Sequence, residues 1–274
     1  MTECYGKKFI MNGDLYPANH FDNSMVYSGN SVYEVIRMVM GKPVFFHDHM
    51  ERLATSASLQ RKRRLADEET LKKDILRLTR ADRKKIANLK IVFNYRKEEN
   101  NYLVYFIEPI YPTENQYVNG VKGILYYAER KEPESKVINH KLRSSIYHKL
   151  ILEGGYEAIL VNEKDEITEG SRSNIFFLQH DRLVTAPDNC VLNGITRKHI
   201  LDICKEHGIP VEKRCAGLNE LSDFDAVFMT GTSPVVLPFC CIGDNQFKTN
   251  LFILEKLRKL YMARAEDSIG QFRH

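Results

Sequence analysis

A chain of 274 residues, 43% of them apolar and 28% charged, is long enough for two domains with cores of their own and too apolar for a disordered polymer. Forty Lys and Arg against 36 Asp and Glu leave a net charge of +4, so the concentrated basic face that grips nucleic acid is missing and no such partner is expected. The longest apolar run, Val235 to Ile242, is interrupted by Pro238 and falls well short of the about 20 residues a bilayer span requires.

The start, Met1-Thr-Glu-Cys-Tyr-Gly-Lys-Lys, has neither the basic nor the apolar region of a secretory leader, and a cytoplasmic protein is expected. Six cysteines (Cys4, Cys190, Cys204, Cys215, Cys240, Cys241) without a Cys-x-x-Cys spacing read as reduced thiols, not as a disulfide framework or a thiolate metal site.

In chain order, β-like runs at Lys8 to Met11 and Ser31 to Met40 lead through the turn Gly41-Lys-Pro43 to a helix from His49 to Leu59. A second helix is predicted from Asp67 to Arg80, with an acidic first turn and Leu71, Ile75 and Leu78 at helical spacing. Leu89 to Tyr95 and Tyr102 to Ile107 read as a hairpin around the charged Arg96-Lys-Glu-Glu-Asn-Asn101. After a strand from Gly123 to Tyr127 and a polar connector, Glu129 to Ser135, the residues Ile138, Leu142, Ile146 and Leu150 mark one face of a helix that Gly154-Gly155 ends. Short strands follow at Glu157 to Val161, Glu166 to Thr168, Asn174 to Leu178 and Leu183 to Thr185. Helices are predicted at Thr196 to His207, Leu218 to Leu221 and Leu251 to Arg264. The pattern is a mixed α/β (α+β) fold with a boundary near residue 120, a smaller α+β domain over 1–120 and a larger, strand-rich domain over 121–274.

Lys136, in Lys136-Val-Ile-Asn139, precedes the amphipathic helix, and Glu169 lies in Thr168-Glu-Gly-Ser-Arg-Ser-Asn174 at a strand end. Taken singly, each is an ordinary solvated surface charge. Asn193-Gly-Ile-Thr-Arg197 is a glycine turn opening a helix, whose free N–H groups make a potential anion site. The strand Ala226-Val-Phe-Met ends in Thr230-Gly-Thr-Ser233, a second glycine turn with hydroxyl donors. The chain has neither Gly-x-x-x-x-Gly-Lys nor Gly-x-Gly-x-x-Gly, which argues against nucleotide binding.

The order of these pieces resembles the fold-type IV pyridoxal-phosphate enzymes, the class IV aminotransferases and aminodeoxychorismate lyases. The resemblance runs from Ser31 to Ile242 through Val32-Tyr-Glu-Val-Ile-Arg37, His49-Met-Glu-Arg52-Leu, Lys-x-x-Asn, Glu157-Ala-Ile-Leu, Thr-Glu-Gly-Ser-x-x-Asn-Ile-Phe, Gly-Ile-Thr-Arg and Thr-Gly-Thr-Ser. It implies an α+β sandwich followed by a strand-rich pseudo-barrel, pyridoxal 5'-phosphate as cofactor in the cleft between the two, and a homodimer. It makes Lys136 the Schiff-base lysine that also shuttles the substrate's α-proton, and Glu169 the partner of the pyridine nitrogen. It gives the cofactor phosphate to Arg52, to the N–H groups of Ile195 and Thr196, and to Thr232 with Ser233, and it puts Tyr33 on the substrate side of the ring. Lys141 is the rival for the lysine; the spacing to Asn139 and Glu157 favours Lys136.

His47-x-His49 has no further ligand at metal spacing and reads as polar surface or core hydrogen bonding, so no metal is expected. Strand periodicity puts Glu34 and Arg37 on opposite faces, in separate ion pairs. The Arg-x-His pair of the D-amino-acid aminotransferases and the Arg-Pro of the branched-chain enzymes are both absent from the loop Tyr95-Arg-Lys-Glu-Glu-Asn100, which leaves Arg96 as the candidate carboxylate anchor. The lyases continue Lys-x-x-Asn with Arg, where this chain has His140. Transamination between a small amino acid and a 2-keto acid is therefore placed ahead of release of pyruvate from a chorismate-derived substrate to form p-aminobenzoate. A catalytically silent binding protein on the same fold is the reading from another class. The joint presence of Lys136 and Glu169 argues against it, because folding has no use for a buried amine there.

Overall fold

The computed structural model describes residues 2–272, which form two compact units. The first contains the chain up to 110, residues 135–138 and the chain from 264 on; the second contains 111–134 and 139–263. The single boundary expected near 120 is thus replaced by a division after 110. The last strand of the first sheet ends at Ile107, and Pro109 and Pro112 have no N–H with which to extend it.

The elements of the first unit are β1 (Lys8–Met11), β2 (Asp14–Pro17), α1 (Ser24–Tyr27), β3 (Asn30–Val39), β4 (Lys42–Pro43), α2 (Phe46–Leu59), α3 (Glu68–Asp82), β5 (Ala87–Tyr95) and β6 (Asn100–Ile107). The strands make one antiparallel sheet in the order β2-β1-β6-β5-β3-β4. Asp67 starts α3 by accepting the Thr70 N–H at 2.8 Å, the cap its position predicts. One sheet face, with Ile36, Leu89, Ile91 and Phe93, packs on Leu53 and Ala57 of α2 and on Leu71, Ile75 and Leu78 of α3. On the other face Phe9, Val92, Leu103 and Tyr105 are covered by Cys4, Phe21 and Val26.

The second unit contains α4 (Glu114–Asn119), β7 (Val121–Tyr127), α5 (His140–Glu153), β8 (Glu157–Val161), β9 (Glu166–Gly170), β10 (Asn174–Gln179), β11 (Arg182–Thr185), α6 (Ile195–Glu206), β12 (Val211–Lys213), β13 (Ala216–Gly217), β14 (Ala226–Gly231), β15 (Val235–Ile242) and β16 (Asn245–Gln246). The chain closes with α7 (Phe252–Gln271), whose residues from 264 on count with the first unit. The sheet runs β12-β11-β10-β14-β15-β7-β8-β9-β13, with β16 on β15. β7, the sixth strand in that order, pairs in parallel with both β15 and β8.

Two expectations shift. The stripe from Ile138 is cut because α5 begins only at His140, where Asn139 Oδ1 accepts the Leu142 N–H at 3.1 Å; Ile138 packs instead in the first unit, while Ile146 and Leu150 stay buried. Leu218–Asp223 is a 3-10 turn rather than an α-helix. Among the described residues no helix is long and apolar enough to cross a membrane.

Candidate functional site

In the first unit residues 135–138 lie along β3. The Tyr33 N–H donates to the Lys136 carbonyl at 3.1 Å, the Ile138 N–H donates to the Ser31 carbonyl at 3.0 Å, and Val32 bridges Val137. The Lys136 N–H donates to Ser56 Oγ at 3.1 Å, and the buried Ser135 hydroxyl donates to the Ser56 carbonyl at 3.3 Å. A short segment is therefore fixed by strand pairing on one side and by α2 on the other. Its amine, Lys136 Nζ, stands 4.9 Å from the centroid of the Tyr33 ring. Lys141, in contrast, is exposed in the first turn of α5.

Alternation along β3 turns Glu34 to the face opposite Tyr33, and Glu34 is fully buried. Arg52 Nε donates to Glu34 Oε1 at 2.8 Å and Arg52 Nη2 to Oε2 at 2.7 Å, while His49 Nδ1 meets Oε2 at 2.8 Å. His49 and Arg52 reach one carboxylate because residues three apart share a helix face. Burial alone would raise the Glu34 carboxyl, but the charge and hydrogen bonds of Arg52, with the His49 hydrogen bond, outweigh it and hold the group down to about 2. Burial pushes His49 below the ordinary histidine value against the pull of Glu34. His49 is therefore neutral near pH 7, with Nδ1–H donating. The pairing of Glu34 with Arg52 joins two motifs that the sequence left separate. Arg96, beyond β5, uses Nε on Asn94 Oδ1 and Nη2 on the Ser24 carbonyl, each at 2.7 Å. His47 meets Glu51 and Glu68 on the surface, and among the described residues no three His, Cys, Asp or Glu are grouped to hold a metal ion.

In the second unit Glu169, at the end of β9, is 3% exposed. Its Oε1 accepts from Arg130 Nη1 at 3.2 Å and its Oε2 from the Leu192 N–H at 3.1 Å. Arg130 lies in the connector read from sequence as merely exposed. The loop carrying Leu192 is held by Asn174 Nδ2, which donates to the Leu192 carbonyl at 2.7 Å, and by the buried Arg197, which donates to Asp188 at 2.8 Å and to the Ala186 carbonyl at 2.7 Å. The arginine of Gly-Ile-Thr-Arg is thus a loop clamp.

Gly194 begins α6 with no side-chain cap, and a Cβ there would collide with Asn174 Oδ1. The helix start is left to backbone N–H groups, Ile195 and Thr196 among them, with the positive end of the helix dipole behind. The Thr196 hydroxyl lies 3.3 Å from that of Tyr261 on α7, a contact 65 residues apart in sequence. Thr230 on β14 is paired in register with Asn174 and leads into the turn Gly231-Thr232-Ser233-Pro234. The next residue, Val235, has φ of +57°, a left-handed conformation that costs a β-branched residue energy and is tolerated mainly where a site requires it. The buried Thr230 hydroxyl has no hydrogen-bond partner in the protein.

A family model for class IV amino-transferases matches residues 31–242. D-alanine aminotransferase of Bacillus licheniformis is 28% identical over 225 residues, 78% of this chain and 79% of that protein. A branched-chain amino acid aminotransferase of T.th., solved with pyridoxamine 5'-phosphate, superposes with a TM-score of 0.85 at 22% identity, over 98% of this chain and 97% of that one. A Legionella pneumophila chain described as a candidate 4-amino-4-deoxychorismate lyase superposes with a TM-score of 0.77 at 21% identity, covering 86% and 91%. The match over most of the chain, together with the two-sheet fold, places it plainly: the chain belongs to the class IV aminotransferases, the pyridoxal-phosphate enzymes of fold type IV.

Proposed function

We propose that this enzyme moves an amino group between a small amino acid and a 2-keto acid, with Lys136 as the amine that holds the cofactor aldehyde and carries the α-proton. The observation that bears most weight is the strand pairing that pins the Lys136 backbone to β3 and its amine to the Tyr33 ring. A catalytic proton carrier has to be held to a fraction of an ångström, and a surface lysine has no need of it.

The residues present fit pyridoxal phosphate. The α6 start without a side-chain cap, the glycine that admits no Cβ and the orphaned Thr230 hydroxyl are what a phosphate-binding turn leaves in the protein alone. Ile195 and Thr196 would supply N–H donors to the phosphate, Thr232 and Ser233 hydroxyls, and Arg52 its guanidinium charge. The buried Glu169 carboxylate, oriented by Arg130 and the Leu192 N–H, would hold the ring nitrogen protonated. Pyridoxal phosphate supplies an electron sink for the pair left when a bond to the substrate's α-carbon breaks. Tyr33, beside the lysine, is assigned a hydrogen bond to the substrate carboxylate. Arg96 is assigned the rim of the same pocket, with two of its nitrogens already engaged.

The similarity to D-alanine aminotransferase supports the small amino donor. The fold likeness to the Legionella pneumophila chain keeps the lyase as the second reading. A screen of D- and L-amino acids with pyruvate and 2-oxoglutarate, run beside 4-amino-4-deoxychorismate, separates them: keto-acid-dependent amine transfer supports the first, and pyruvate release without an acceptor the second. The reading includes a cytoplasmic homodimer. Six free cysteines suit a reducing compartment, and light scattering of the purified protein tests the dimer.

A further inference from the structure

Lys90 lies on β5 where the alternation that sends Leu89, Ile91 and Phe93 into the helix-side core turns it to the opposite face. It is 1% exposed. Its ammonium meets Glu3 Oε1 at 2.5 Å and stands 5.7, 5.3 and 5.9 Å from the ring centroids of Tyr27, Tyr33 and Tyr105. Glu3 Oε2 accepts from the Tyr27 hydroxyl at 3.0 Å and from the Tyr105 hydroxyl at 3.1 Å. Lys90 is buried and Glu3 half-buried, and an ion pair enclosed in this way is a poor source of stability, since apolar residues of like volume do as well or better. The other residues on this face, Phe9, Val92 and Leu103, show that the site accepts apolar packing.

Tyr33 is the member that joins the cluster to the proposed chemistry. Lys90 lies against its ring at 5.3 Å and Lys136 at 4.9 Å. A cation within about 6 Å of a ring centroid is attracted to the face of that ring. It also draws electron density from the phenol and strengthens the O–H as a donor.

We propose that Lys90, anchored by Glu3, is a positioning residue for Tyr33: it fixes the ring and strengthens the hydroxyl that receives the substrate carboxylate. The proposal rests on the reading of Tyr33 given above. Lys90, enclosed as it is, touches no substrate and acts through the tyrosine. The N-terminal segment thereby becomes part of the substrate-binding machinery through one carboxylate.

The test uses the full-length, cofactor-loaded enzyme for kinetics and the cofactor-free protein for spectroscopy. Lys90→Met alone would strand the Glu3 charge, so the decisive variant is the double Glu3→Gln/Lys90→Met, which removes both charges and keeps an acceptor for the two tyrosine hydroxyls. Its KM for the amino donor is expected to rise about 5- to 10-fold, with kcat and cofactor affinity each within about 2-fold of the parent. In the cofactor-free protein, 3-fluorotyrosine at position 33 is expected to give one narrow 19F resonance in the parent and a broadened or doubled one in the double variant. Lys90→Arg, which keeps cation and anchor, is expected to restore both readouts. If the double variant does not fold, Glu3→Gln alone serves, with KM up about threefold and the same broadening.

Tyr33→Phe separates the layers. An unchanged KM there overturns the reading of Tyr33 and this inference with it. A raised KM in Tyr33→Phe with an unchanged KM and a single narrow resonance in the folded double variant overturns the role of Lys90 alone.

Discussion

Replacing Glu34 by Gln probes the Glu34–His49–Arg52 cluster at its centre. The carboxyl is held down to about 2 in the folded protein, against 4.5 for the free group, a difference worth about 3 kcal/mol at neutral pH. The folded value lies below the unfolded one, so between the two the unfolded chain binds more protons. The contribution is complete above about pH 4.5 and is lost as the pH falls toward 2. Gln keeps the shape and one acceptor but leaves the buried Arg52 charge uncompensated, which is costly by a similar amount. The cofactor-free variant is therefore expected to lose about 3 kcal/mol in urea unfolding at pH 7, or about 6–10 °C in Tm. The gap between the two proteins is expected to narrow when the comparison is repeated at pH 4 and below. Without the fork that aims Arg52, pyridoxal-phosphate affinity should fall about 10-fold, read by fluorescence titration. A gap under 1 kcal/mol at pH 7, or one that does not narrow in acid, would refute the reasoning.

Two further substitutions bear on the second unit. Glu169→Ala removes the buried carboxylate assigned to the ring nitrogen and leaves Arg130 in its place; kcat is expected to drop at least about 100-fold while borohydride still fixes cofactor to Lys136, and near-parental turnover would contradict the assignment. Tyr261→Phe deprives the Thr196 hydroxyl of its partner. It should weaken pyridoxal-phosphate binding about 5- to 10-fold with little effect on pyridoxal, which lacks the phosphate. Equal losses for both ligands would show that Tyr261 only packs.

The parts of this site legible in the sequence are those carried by short, contiguous motifs. Lys-x-x-Asn, Thr-Glu-Gly-Ser and Gly-Ile-Thr-Arg mark loops and strand ends, where backbone constraints force a local signature. The contacts that tune those residues are tertiary and leave no such trace. Glu34 and Arg52 belong to a strand and a helix and meet only because α2 packs on β3. Tyr261 reaches Thr196 from a helix whose sequence pattern announces core packing alone, and Arg130 sits in a charge-rich connector that hides its partnership with Glu169. Lys90 occupies an alternating position in a strand, where a lysine ordinarily marks the solvent face. It is buried because the N-terminal segment and three tyrosines cover that face. The same locality governs the fold. Hairpins and amphipathic helices are visible as patterns, whereas the parallel pairing of β15 with β7 and the attachment of residues 135–138 to β3 are long-range and leave no local pattern.

The most direct measurement of the central claim is borohydride reduction of the cofactor-loaded protein followed by peptide mass mapping. Reduction converts a cofactor–lysine linkage into a stable amine, so the modified residue is read from the peptide mass. A pyridoxyl group is expected on Lys136, and its loss is expected in Lys136→Ala. A pyridoxyl group on Lys141, or none on any lysine of the loaded enzyme, would contradict that claim.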